Sequence, residues 1–335
     1  MSGDTYRKHG RTVRLERIGN DRALVVVLES GEAETRADVF SCRSLPAHLP
    51  LAAIDETAVT RAESAIVALL EEPLALERLV ITSGVAIHER QTAAGLLVWN
   101  DLSFRIHASI VNRPASLRMT WDEAVPGGSS LADLARATSA LASADRRSET
   151  APALIQLSGP VAATLWPILL LALASASAGH GMKERSGLNL AQSGEGGYQF
   201  DGNGEAIATT TLFDGAHVVD RWPNVFRPTY RRQPQSMPMN VRASLDPTGE
   251  VQADAVALAV LEPPAVDGKH IGVDLLVVHH DQRGVPMRLR MTLSEWCGAF
   301  VALRGEERWY PYGAGSFGCQ ATIDLTRLDG RLQLL

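Results

Sequence analysis

Along the first third of the chain the runs read in the strand period, with apolar residues at alternate positions in Thr12-Val-Arg-Leu-Glu-Arg-Ile and Thr35-Arg-Ala-Asp-Val-Phe and a continuous apolar run in Ala23-Leu-Val-Val-Val-Leu between them. That period sends successive side chains to opposite faces of a strand, and Asn20-Asp21 and Gly31 supply turns between the runs, so the pattern predicts an antiparallel meander. The period then changes. From Asp55 the apolar positions Ala58, Val59, Ala62, Ile66, Leu69 and Leu70 follow helical spacing behind an Asp suited to the N-cap, which predicts an amphipathic helix covering the sheet. Strand patterns resume at Leu79-Val-Ile-Thr-Ser, Gly95-Leu-Leu-Val-Trp, Ser103–Val111 and Ser116-Leu-Arg-Met-Thr-Trp. Pro126-Gly-Gly breaks them and opens a second helix through Leu131, Leu134, Ala135, Thr138 and Leu141, and the polar stretch Ala144–Thr150 reads as a linker.

A different pattern follows. Val161–Ala178 is apolar at nearly every position, too uniformly for a surface helix. It carries Thr164, Pro167, Ser175 and Ser177, is rich in alanine and lacks basic flanks, so it reads as a helix buried in a protein core rather than a membrane span. Beyond it, strand signals recur at 206–212, 251–261, 271–279, 287–293, 299–303 and 321–325, with turns expected at Asp267-Gly268, Arg304-Gly305 and Asp329-Gly330. The predicted class is α+β: an N-terminal antiparallel sheet with covering helices over 1–145, then a mainly antiparallel β domain over 150–335 with one long buried helix. The length of 335 residues suits two such domains.

Composition narrows the functions. A net charge of −6 gives no pull toward nucleic acid or anionic membranes. Cys42, Cys297 and Cys319 form neither a CxxC pair nor an even framework, and the N-terminal residues have no apolar signal core, which together point to a reduced, cytoplasmic setting.

Candidate chemistry is sparse. His180 sits between two glycines at the end of the apolar helix, where a C-terminal cap explains it and a metal would need partners. Cys319 precedes the last strand and suits a small buried hydrophobe or, less simply, a ligand. His279-His280 alternate across a strand end and so cannot share one face, and His88-Glu89 has no second His at a helical offset and follows Gly84, which argues for a loop. Arg227, Tyr230, Arg231 and Arg232, punctuated by Pro223, Pro228 and Pro234, form a basic loop. A solvated loop is the simpler account, and a donor-rich rim for a peptide carboxylate or phosphate is the chemical one.

Four stretches in fixed order resemble the TldD/PmbA (TldE) family, the zinc peptidase-related "modulators of DNA gyrase": Ala151–Leu165; Phe200-Asp-Gly-Asn-Gly-Glu-Ala with Thr211-Leu-Phe-Asp-Gly-Ala; Pro228–Asn240; and Gly298–Pro311 with the Cys319 tail. The resemblance covers the last 185 residues or so by motif and the rest only by element pattern. It implies an HExxxH zinc helix in one branch, with a further Cys ligand, and a PmbA/TldE-like branch that lacks the motif and pairs with a TldD-like catalytic partner. Carried over position by position, His180 stands at the second His and Cys319 at the Cys, while Ser175 and Ala176 stand where the first His and the Glu would be. These implications give a catalytically degenerate subunit of a cytoplasmic heterodimer acting on peptides or a peptide-like intermediate. Zinc would sit in the partner, and Arg227, Tyr230, Arg231, Arg232 and Asn240 would be substrate-cleft candidates. Two alternatives stay open, a stand-alone hydrolase using His180 and Cys319 and a homodimeric small-molecule-binding protein. The chain also reads as shorter than family members, with the loss placed between Asp246 and Met287.

Overall fold

The computed structural model describes residues 5–34, 42–43, 56–70, 74–92, 95–113, 115–123, 129–144, 152–176, 186–200, 207–218, 239–246, 251–267, 270–279, 283–312, 315–327 and 332–334. The fold is α+β, built on two large sheets. The first comprises β1 (Thr5–Ile18), β2 (Asp21–Glu34), β4 (Leu74–Thr92), β5 (Gly95–Asn112) and β6 (Leu117–Glu123), in the order β2-β1-β4-β5-β6 and antiparallel throughout. A two-residue turn joins β1 to β2, and Gly19 takes the left-handed conformation there at φ +57°. The short β3 (Cys42–Arg43) pairs instead with β9 (Tyr198–Phe200).

Helices α1 (Glu56–Ala68) and α2 (Ser129–Ala142) appear where the helical period placed them. α1 buries Val59 and Ile66 against β1 and β4, and its buried Glu63 accepts hydrogen bonds from Arg22 of β2 at 2.9 and 3.2 Å. The second sheet runs β10 (Thr210–Phe213), β8 (Leu188–Gln192), β11 (Val241–Leu245), β16 (Ser316–Asp324), β7 (Leu154–Leu157), β12 (Ala255–Asp267), β13 (His270–Val278), β14 (Gly284–Thr292), β17 (Leu332–Leu334), with β15 (Phe300–Tyr310) also on β16. The pairs β7/β12 and β11/β16 are parallel, and the others in this sheet are antiparallel.

α3 (Gly159–Ala176) packs across this sheet on β16 and β12. Its Ala162, Leu165, Trp166, Leu169 and Leu170 are all fully buried. The opposite face of the sheet is also covered. Along β13, Ile271, Val273, Leu275 and Val277 join the α3 core, while Leu276 and Val278 join a second core shared with α1, α2 and the first sheet. Burial on both faces explains why this strand reads as a continuous apolar run instead of an alternating one. The expected division near 145–150 separates the two sheets along the chain, yet the second core contains residues from both sides of it, among them Met119, Leu141, Leu258 and Leu276.

Several expectations are corrected. Gly31 and Gly84 lie inside β2 and β4 with strands paired beside them, so neither makes a turn, and His88 sits in a strand between Lys8 and Trp99. Gly305 is a bulge within β15, at φ +79° between register shifts. The parallel pairs escaped a reading based on alternation alone, as did α4 (Leu293–Ala299). The signal for α4 was present: Thr292 and Glu295 form a capping box, with the Glu295 N–H donating to Thr292 Oγ1 at 3.3 Å and the Thr292 N–H to Glu295 Oε2 at 2.6 Å. Among the described residues no helix is long and apolar enough to cross a membrane.

α3 sits this close to β16 because Gly318 has no side chain: a Cβ there would overlap the Gly159 carbonyl oxygen and approach the Ala163 Cβ to 2.9 Å. Gly318→Ala is therefore expected to destabilise the protein by about 1–3 kcal/mol, the usual cost of overpacking. Denaturant unfolding measures it, and an unchanged midpoint would show that the helix yields without cost.

Candidate functional site

The second face of α3 leaves the core. Pro160, Thr164, Pro167, Ile168 and Leu171 recur at intervals of three or four and form one stripe, with Leu171 exposed. Pro160 is tolerated because first-turn N–H groups have no helical partner, and Thr164 Oγ1 donates to its carbonyl at 2.8 Å. Across from the stripe stand Thr120, Trp121 and Asp122 of β6 and Ala259, Val260, Glu262, Pro263 and Pro264 of β12, with Tyr312 beyond β15. Together they enclose a cavity of about 330 Å³ with mostly apolar walls. A pocket of this size with a few convergent polar groups has the make-up of a small-molecule or side-chain site.

The polar end is organised by Asp122. Arg105 of β5 donates from Nε at 2.8 Å and from Nη2 at 2.5 Å to its two oxygens, and His107 Nδ1 lies 3.8 Å away. Burial pushes the Asp122 carboxyl up, but the Arg105 and His107 contacts more than offset this and hold it below the ordinary carboxylate value. Tyr312 stacks on Tyr310 with ring centres 6.0 Å apart, and burial drives both phenols well above their ordinary range, so they stay protonated donors. A second, more polar cavity of about 280 Å³ lies on the other side of the α3 start, between Asp133 and Arg136 of α2 and Arg308 and Tyr310 of β15.

Of the sequence candidates, His180, Arg227, Tyr230, Arg231 and Arg232 lie outside the described residues. Asn240 is fully buried, at φ +50°, and its amide is spent within the chain. Nδ2 donates to the carbonyls of Ser193 (3.0 Å) and Tyr198 (2.7 Å), and Oδ1 accepts from Tyr198 N (2.9 Å) and Trp309 Nε1 (3.0 Å). That uses both donors and both acceptor sites. Asn240 thus ties the 193–198 turn to β11 and β15. Cys319 stands half-buried on β16, and burial followed by the Glu307 charge pushes its thiol up, against weaker help from backbone donors. It is a poor thiolate. Glu307 in turn pairs with Arg242 at 2.8 Å, and the Arg242 guanidinium lies 4.4 Å above the Phe317 ring. Among the described residues no group of three or more His, Cys, Asp or Glu is placed to hold a metal.

The Asp122 cluster was missed by sequence reading, although the signal exists. If Asn112 and Leu117 close the β5/β6 hairpin, the register carries His107 opposite Asp122 and puts Arg105 on the same face. No apolar period marks such a pair.

No protein-family model and no curated protein matches this sequence. Solved structures do match. TldE from Thermococcus kodakarensis superposes with a TM-score of 0.67 at 10% identity, over 96% of this chain and 95% of that one. The chain has the TldE fold. Proteins described as modulators of DNA gyrase from Thermotoga maritima (TM-score 0.62, 9% identity) and Bacteroides thetaiotaomicron (0.60, 12%) match over 96% of this chain and 94% and 93% of theirs. The match to TldE runs nearly end to end, and the segment between Asp246 and Met287 carries β12 and β13.

Two outcomes follow from this geometry. Asn240→Ala leaves the Trp309 indole N–H, the Tyr198 N–H and two carbonyls without their partner, so a loss above about 2 kcal/mol is expected in thermal or denaturant unfolding. For Asp122, a folded-state pKa below the unfolded one means stability that is present above the ordinary carboxylate range and falls away as pH drops through the lowered value. Asp122→Asn is expected to flatten the acid limb of the stability–pH curve. An identical acid limb in the variant would show that the ion pair contributes nothing there.

Proposed function

We propose that this chain is a TldE-like, catalytically degenerate subunit of a cytoplasmic zinc metallopeptidase heterodimer that acts on peptides or on a peptide-like biosynthetic intermediate. The observation that carries the reading is the end-to-end match to TldE together with Ser175 and Ala176 at the positions the family resemblance assigns to a zinc-binding His and a general-base Glu. A serine and an alanine supply neither an imidazole nor a carboxylate, and Cys319 is held as a thiol. The chain's own residues therefore do not fit a zinc centre, and hydrolysis falls to a TldD-like partner. This subunit's part is to complete the cleft wall and hold the partner in its active arrangement.

A docking surface supports the partner requirement. β2 is the edge strand of the first sheet, and Leu24, Val25, Val26, Val27 and Leu28 are all exposed on it, Leu28 at 76%. A long apolar edge strand that no other described strand pairs on its outer side is a site for another chain to cover. An obligate pair would bury roughly 2,000 Å² or more in total.

The test is co-expression with a TldD-like protein from the same genome. The two chains are expected to co-purify at one to one, and Val26→Lys with Leu28→Lys is expected to abolish the complex while moving the stability of the isolated chain by no more than about 0.5 kcal/mol per site. A wild-type chain that elutes alone in the presence of its partner contradicts the proposal.

A further inference from the structure

We propose that the cavity between α3, β6 and β12 binds an apolar group bearing an ammonium head, which describes both the N-terminal residue of a peptide and a free apolar amine. The peptide source deepens the function proposed above and rests on it, whereas the site itself does not.

The walls are mostly carbon. Trp121 is buried and spends its indole N–H on Glu123 Oε2 at 3.2 Å, so it offers the cavity only carbon, as do Pro167, Ile168 and Pro263. A half-open, mostly apolar cleft of about 330 Å³ suits an aromatic or branched aliphatic group.

Charge then selects the head. Among the described residues the carboxyl side chains in the lining are those of Asp122 and Glu262, and no Lys, Arg or His lines the cavity. Arg105 engages Asp122 bidentately and His107 Nδ1 stands 3.8 Å from the same carboxylate, which fixes Asp122 in place at the polar end of the cavity. Two guanidiniums that feel Glu262, those of Arg118 and Arg288, are each held by another carboxylate, and Arg290 shares a second cleft with Glu262 and Asp274. Arg118 donates to Glu77 at 2.9 and 3.1 Å, and Arg288 donates to Asp274 at 2.6 Å through both nitrogens. Among the described residues an entering carboxylate or phosphate therefore meets lining acids and no lining cation, while an ammonium meets acceptors in Glu262, in the Arg105-paired Asp122 and in the Thr120 and Thr164 hydroxyls. An apolar amine satisfies the walls and the head together.

Position ties the cavity to the reaction. The stripe Thr164, Ile168, Leu171 advances along α3 with helical period toward position 175, where the resemblance places the first His of a zinc motif. A peptide anchored in the cavity by its first residue would thus run along the helix that bears the motif in catalytic relatives.

Calorimetric titration of the full chain, with and without its co-purified partner, tests this using four probes: L-phenylalaninamide, the peptide Phe-Ala-Ala with a free amino terminus, N-acetyl-phenylalaninamide and 3-phenylpropionate. The first is expected to bind at least about tenfold more tightly than the last two, and Glu262→Gln to weaken it by about fivefold, the scale of a partly exposed ion pair. Ile168→Trp, which fills the cavity, is expected to abolish binding. Leu171→Trp at the exposed mouth serves as the second filling variant should Ile168→Trp unfold. Tight binding of Phe-Ala-Ala assigns the peptide source, and binding of phenylalaninamide without it assigns a free amine. Equal binding of all four probes, no binding of any, or binding untouched by both tryptophan variants overturns the proposal. Partner association is scored on the same samples by elution position, so loss of the heterodimer reading and loss of the pocket are separate results.

Discussion

A helix that is apolar on every face has to be enclosed, and enclosing α3 sets the rest of the architecture. One side presses its large side chains, Trp166 among them, into the second sheet, and the closeness of that contact depends on the absence of a side chain at Gly318. The other side lies against β6 of the first sheet and the Pro263-Pro264 segment of β12, and imperfect closure there leaves the cavity. Because the second sheet carries α3 on one face and α2 on the other, its central strands have no solvated side, and the molecule holds together as two cores sharing one sheet.

Much of this was legible in the chain. Strand-like runs, alternating in β1 and continuous in β2 and β13, marked these strands, and period 3.6 marked α1 and α2 to within a few residues. The uniform apolarity of Val161 to Ala178 announced a buried helix, which is what encloses Leu165, Leu169 and Leu173. What failed to show was set by partners distant in sequence. Gly31 and Gly84 resemble turns locally, but strands paired alongside hold them extended. The parallel pairing of β7 with β12 joins segments about a hundred residues apart, and no local pattern encodes it.

The site was less legible than the fold for the same reason. The Arg105, His107 and Asp122 cluster is a cross-strand arrangement, visible only once a register is fixed. Asn240, singled out beside a basic loop, turns out to be saturated by the Trp309 indole and by the backbone of Ser193 and Tyr198, a role that depends on a turn more than forty residues upstream. Fold likeness at 9 to 12% identity establishes architecture, and function has to be argued from the residues that occupy it. Here those residues include an apolar cavity beside α3 and, among the described residues, an apolar edge strand.

The central claim is that the chain contributes a wall and a docking surface to a zinc enzyme whose metal lies in the other subunit. Native mass spectrometry of the isolated chain and of the co-purified complex, each incubated with zinc, tests it most directly. The account predicts no zinc on the isolated chain and one zinc per heterodimer, retained when Cys319 is replaced by Ser. One tightly bound zinc on the isolated chain, lost in Cys319→Ser, would contradict it.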